Sequence, residues 1–77
     1  MSTQENTYNG YKSYENWNQA LWLQNDERLY DLVEMVLNRS YDNDYAAVML
    51  YNNFNGGSTP DGVKWTISGI AEALENF

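Results

Sequence analysis

The residues best placed to do chemistry are acids. Asp26, Glu27, Asp31, Glu34, Asp42 and Asp44 crowd one stretch of the chain, opposed there only by Arg28 and Arg39. Glu27, Asp31 and Glu34 recur at i, i+4 and i+7, the spacing of one helix face, so consecutive carboxylates stand roughly 5–6 Å apart. Phosphates along one nucleic-acid strand are separated by a similar distance, on the order of 6–7 Å, for an axial rise of ~3.4 Å. Such a stripe is either a solvated face or a surface shaped to enter a basic nucleic-acid channel. Like charges at i, i+4 cost a few tenths of a kcal/mol in an isolated helix, a cost that both readings must accept. Glu72 and Glu75 form a second, smaller acidic patch.

Other chemistry is narrowed by composition. The chain has 77 residues, 11 acids against four bases, no Cys and no His. Without His or Cys there is no Ser–His or Cys–His nucleophile pair and no zinc site built from nitrogen and sulfur ligands. A carboxylate pair can act as general acid and base, but it needs a shaped cleft, and a chain this short has little volume for one. The expectation is a non-enzyme without cofactor or metal. Asp42-Asn43-Asp44 opens like a calcium loop, yet Ala47 and Asn53 stand where that loop needs Gly and Glu, so these acids read as the first turn of a helix. Gly56-Gly57 lacks the Lys-Ser/Thr of a phosphate loop and reads as a turn.

The net charge of −7 disfavours direct nucleic-acid binding, which depends on Lys and Arg releasing counterions. It favours basic surfaces, including the nucleic-acid channels of other proteins. No apolar run approaches the ~20 residues of a membrane span, and the polar start lacks the pattern of a signal peptide. With no Cys, the glycosylation sequon Asn38-Arg39-Ser40 reads as accidental, and the cytoplasm is the expected compartment.

The elements that must position the acids are helices. Met1 to Lys12 reads as a flexible arm with a turn at Asn9-Gly10, and residues 13–77 as one domain. Ser13 caps a first helix from Tyr14 to about Gln24, with Tyr14, Trp17 and Leu21 on its apolar face and Ala20 and Leu23 widening it. Asn25 or Asp26 caps a second helix to about Arg39, whose core face is Leu29, Leu32, Val33, Val36 and Leu37. A third helix follows Asp42 and ends near Asn53, burying Tyr45, Ala46, Met49, Leu50 and Phe54. After a turn-rich loop and a short extended segment at Val63–Trp65, Thr66 caps a last short helix with Ile67, Ile70, Ala71 and Leu74 inward. The expected class is mainly α, a small bundle of three to four helices. Twelve aromatics (three Trp, seven Tyr, two Phe) supply core volume that so short a chain otherwise lacks. Trp17 and Trp65 are expected in the core; Trp22 and Tyr51 are the candidate exposed interface anchors.

The segment from Tyr14 to Asp26, with Glu15-Asn16-Trp17-Asn18-Gln19-Ala20-Leu21-Trp22 at its centre, resembles a motif of short phage and mobile-element proteins, Asn-(Tyr/Arg)-Glu-Thr-Trp-Asn-x-Ala-Leu-Trp followed shortly by Asn-(Asp/Glu). Ser13 stands where that pattern has a leading Asn, and Asn16 where it has Thr. Asp61-Gly62-Val63-Lys64-Trp65 is similar to a second shared segment. Together they cover about a quarter of the 77 residues. The resemblance implies a genomic setting in which small, acidic, Cys-free proteins often inhibit host defence, as anti-CRISPR or antirestriction proteins, several of them DNA mimics. The combined expectation is a monomeric inhibitor of a basic protein partner, with Asp26, Glu27, Asp31, Glu34, Asp42, Asp44, Trp22 and Tyr51 in the interface. The alternative is a helical adaptor that binds through exposed aromatics.

Overall fold

A computed structural model describes residues 8–77. Within them the chain forms α1 (Tyr14–Asn25), α2 (Glu27–Asn38), α3 (Asn43–Phe54) and α4 (Ile67–Glu75), and no sheet. Each helix begins where a short polar side chain satisfies a backbone N–H that has no partner inside the helix. Ser13 Oγ accepts from Asn16 N at 3.1 Å, Asp42 Oδ1 from Tyr45 N at 2.8 Å, and Thr66 Oγ1 from Gly69 N at 3.0 Å. Asp26 serves two helices. Its own N–H bonds Trp22 O at the end of α1, and its Oδ1 accepts from Arg28 N and Leu29 N at 3.0 and 3.1 Å. A single extended residue therefore turns α1 into α2.

The helices form a closed ring. α1 packs on α2, α2 on α3, α3 on α4, and α4 returns to α1. The core contains Leu23 and Ala20 of α1, Val33 and Val36 of α2, Ala46, Ala47 and Leu50 of α3, and Ile70, Ala73 and Leu74 of α4. Trp65 closes it from the α3–α4 connection, stacked on Phe54 with centroids 4.3 Å apart and planes 18° apart.

Several faces differ from the expected ones. On α1 the buried stripe is Asn16, Gln19, Ala20 and Leu23, with Asn18 beside it. Tyr14 is exposed and Trp17 only half-buried; with Tyr8 they form an aromatic cluster outside the core, the Tyr8–Trp17 centroids 4.9 Å apart. Trp17 is thus not a core residue, while Trp65 is. Tyr45 and Ile67 are also exposed, because α3 buries Ala46, Ala47 and Leu50 and α4 buries Gly69, Ile70, Ala73 and Leu74.

The expected extended segment reduces to one antiparallel bridge, Ser58 to Lys64. It is braced by Thr59 N donating to Val63 O at 2.7 Å and Trp65 N to Gly57 O at 3.1 Å. Of the expected arm, Met1 to Thr7 lie outside the described residues. Tyr8 and Tyr11 pair through both backbone bonds across Asn9-Gly10, two positive-φ residues that suit Asn-Gly turns. Tyr11 packs on the core, and Lys12 N donates to Glu72, so this part of the expected arm folds onto the domain. Among the described residues no helix is long and apolar enough to cross a membrane.

Candidate functional site

Polar chemistry gathers in two places on opposite sides of the Asp26 corner. The first is the inward side of α1. Gln19 is fully buried, and its amide is used at both ends. Oε1 accepts from Thr66 N at 2.8 Å, and Nε2 donates to Thr66 Oγ1 and to Glu15 O, each at 3.2 Å. One glutamine thereby secures the start of α4. Gly69 sits against that amide, where a Cβ would collide with Gln19. The absence of a side chain there lets α4 approach α1.

Asn18, 1% exposed, donates Nδ2 to Asp61 Oδ2 at 2.8 Å and accepts from Thr59 Oγ1 at 2.7 Å. Trp22 Nε1 donates to the same Asp61 oxygen at 2.9 Å. The bonds from Asn18 first, then Trp22, hold the Asp61 carboxyl below its ordinary value of 3.8, against a smaller opposing cost of desolvation. Asn16 Nδ2 donates to Glu72 Oε1 at 2.8 Å, and the Lys12 N–H reaches the same carboxylate. No buried side-chain nitrogen or oxygen among the described residues lacks a partner, as expected where burial makes an unpaired polar group costly. The two motif segments, Tyr14–Asp26 and Asp61–Trp65, are therefore bonded to each other. Their unusual residues fasten the α3–α4 connection to α1.

The second place is the outward side of α2. Glu27, Asp31 and Glu34 are all exposed, while Val33 and Val36 face the core. Asp44 is exposed in the first turn of α3. Asp26 and Asp42 have a second duty as helix caps, and Asp26 is half-buried, so they are not simply free charges of the stripe. The expected patch of Glu72 and Glu75 does not form as such, because Glu72 is half-buried and holds Asn16 and Lys12.

The two aromatic anchors also differ from expectation. Trp22 and Tyr51 are half-buried and packed against the core, and the Trp22 indole N–H is already bonded to Asp61. The exposed aromatics are instead Tyr8, Tyr14, Tyr30, Tyr41, Tyr45 and Phe77.

An open groove of about 510 Å³ lies between the start of α2, the end of α3 and the following loop, lined by Leu29, Leu32, Phe54, Pro60 and Trp65 with Arg28 at its rim. Its one carboxylate is Asp26, which caps α2. General acid–base work by paired carboxylates would need a second acid there and an upward-shifted pKa. Asp61, the sequence's missed acid, is shifted the other way. Its presence in the second shared segment was the one sequence signal for it.

Fold and surface together define a small, acidic, four-helix domain, fastened within by side-chain amides and carrying uncommitted carboxylates outside. The chain belongs to a family of unknown function, DUF7249; the match runs over residues 4–75 and takes in both shared segments. No curated protein and no solved structure matches the chain.

Proposed function

We propose that this protein is an acidic inhibitor from a phage or mobile element, acting in the host bacterial cytoplasm. It binds the basic nucleic-acid-binding surface of a host defence complex, CRISPR or restriction, and blocks DNA access by presenting carboxylates in place of phosphates. One observation carries this reading: Glu27, Asp31 and Glu34 line the exposed side of α2, apart from the hydrogen-bonded network that fastens the fold. Glu27 also lies in the first turn, where a carboxylate suits the helix dipole, but Asp31 and Glu34 lie beyond it.

The test is capture of partners from bacterial lysate, followed by mass spectrometry, at low and high salt. Exposed charge attraction is screened as salt rises, so a nucleic-acid-binding protein should be captured and then released. Reversal of Glu27, Asp31 and Glu34 to Lys should abolish capture and inhibition with the helical circular-dichroism spectrum intact. Full inhibition by that triple variant would sink the reading.

A second reading, a helical adaptor, is favoured by the Tyr8–Tyr14–Trp17 cluster. Its rings lie 4.9–5.7 Å apart, and Tyr8 and Tyr14 are 41% and 42% exposed. Tyr and Trp are over-represented among interface hot spots. This reading expects binding that is insensitive to salt and lost in Trp17→Ala. Unchanged binding by that variant removes it.

A further inference from the structure

The last residue of the chain has an unexpected neighbour. Beyond the end of α4, Phe77 meets Tyr30 of α2, with ring centroids 5.0 Å apart and planes at 31°. Both rings remain open to solvent, at 36% and 39% exposure. They make a ridge with a hollow on either side.

One hollow, about 260 Å³, is lined by Tyr30, Glu34, Leu37, Asn38 and Phe77. The other, about 270 Å³, is lined by Gln24, Asn25, Tyr30, Asn76 and Phe77. Neither lining includes Lys or Arg. Both are smaller than the ~300–1,000 Å³ of a typical small-molecule site, so each suits a single long side chain. The first differs in having a carboxylate side chain, that of Glu34. Glu34 stands one helical turn beyond Tyr30, at the point where the acidic stripe of α2 meets the aromatic ridge.

We propose that the hollow between Tyr30, Glu34 and Phe77 is an arginine subsite, which receives the guanidinium of a basic protein partner. This rests on the inhibitor reading above and names the side chain that such a partner inserts. A guanidinium is planar and weakly hydrated, so it can lie on an aromatic face while its N–H fork points at a carboxylate. Tyr30 and Phe77 supply faces, Glu34 supplies the carboxylate, and Asn38 adds an amide carbonyl. A lysine ammonium is compact and strongly hydrated, so it stacks less well on the rings and presents no planar fork to the carboxylate. The amide-lined hollow offers no carboxylate side chain to meet a guanidinium fork and is the poorer arginine site.

The test uses the full chain and three blocked amino acids as probes: N-acetyl-arginine amide, N-acetyl-lysine amide and N-acetyl-leucine amide. They are titrated at matched ionic strength while the Tyr30 and Phe77 ring protons and the Glu34 side chain are followed by NMR. Arginine should shift these three groups together and saturate. Lysine should bind roughly two- to fivefold more weakly, the range expected for an exposed cation–π contact, and leucine should leave Glu34 unmoved. Phe77→Ala, which lies outside the helices, should erase the arginine preference; Phe77→Tyr should keep it; and Glu34→Gln should remove the response to both cations. Equal shifts for arginine and lysine, spread over Glu27, Asp31, Glu34 and Asp44, would overturn the subsite and leave only a diffuse counterion atmosphere.

The two proposals fail separately. Arginine binding in the hollow by a protein whose charge-reversed triple variant still inhibits would overturn the inhibitor reading alone. Loss of inhibition in that variant without an arginine preference in the titration would overturn the subsite alone.

Discussion

α1 and α2 are each 12 residues long and meet at Asp26, yet they treat polar residues in opposite ways. α1 turns Asn16, Asn18 and Gln19 inward and leaves Tyr14 in solvent. α2 turns valines inward and leaves three carboxylates outside. The difference follows from what each group costs to bury. An amide is neutral and carries both donors and acceptors, so a well-placed set of partners can satisfy it. A carboxylate loses much more on leaving water unless it is paired. Apart from the helix caps Asp26 and Asp42, the acids that the fold employs, Asp61 and Glu72, sit at the edge of the seam, where amide N–H groups meet them. Polarity on a helix is therefore a poor guide to its exposed side; a partner elsewhere in the chain is a better one.

The comparison breaks first if the α1 seam proves dispensable. Gln19→Leu keeps the approximate size of the side chain but withdraws the acceptor from Thr66 N and the donor from Glu15 O. Loss of these part-buried hydrogen bonds should destabilise the domain by about 1–3 kcal/mol. A domain this small shifts its Tm by roughly 4–8 °C per kcal/mol, so thermal melts followed by circular dichroism resolve the effect. An unchanged Tm would mean that α4 is held by apolar packing alone.

Asp61 sharpens the comparison at a smaller scale, because it is exposed and its bonds compete with water. Its carboxyl is depressed below 3.8 in the folded protein, chiefly by Asn18. The sign follows from linkage: a group with a lowered folded pKa contributes its stabilisation above the unfolded value and loses it as pH falls through the folded one. The Tm difference between wild type and Asp61→Ala at neutral pH should therefore persist down to pH 3.8 and narrow only as the pH falls further, through the lowered folded value, and the wild-type carboxyl takes up its proton. Curves that stay parallel to the lowest pH would show that Asp61 does not hold the α3–α4 connection in its charged form.

What the sequence made legible was local. Ser13, Asp42 and Thr66 mark the helix starts because a cap needs only its own residue and the next turn, and Asn25-Asp26 offers two candidate caps for the second. The core face of α2 was legible because apolar spacing and burial coincide there. The inward face of α1 was not legible, because its buried side is partly amide and its outer side aromatic. Only partners such as Asp61 and Thr66, 43 and 47 residues away, decide which side turns inward, and no local pattern records them. Likewise, the spacing of Glu27, Asp31 and Glu34 marked an outer face, but nothing local placed Phe77 beside Tyr30.

The smallest expected effect is the decisive one for the α2 face. Changing Glu27, Asp31 and Glu34 together to Gln removes the like charges at i, i+4 and i, i+3, a gain of a few tenths of a kcal/mol. It also removes a first-turn carboxylate, a loss of roughly 0.3–1 kcal/mol at low ionic strength. Exposed substitutions away from caps and networks usually fall within about ±0.5 kcal/mol each. The terms offset, so urea midpoints of the triple variant and wild type should nearly coincide, while Asp26→Ala, one residue away, should cost about 1 kcal/mol as a lost cap. Near-neutral stability combined with lost partner binding would mean that the stripe serves recognition and not the fold. A loss of several kcal/mol would return these acids to the same structural role as Asp26, and the contrast between the two helices would disappear.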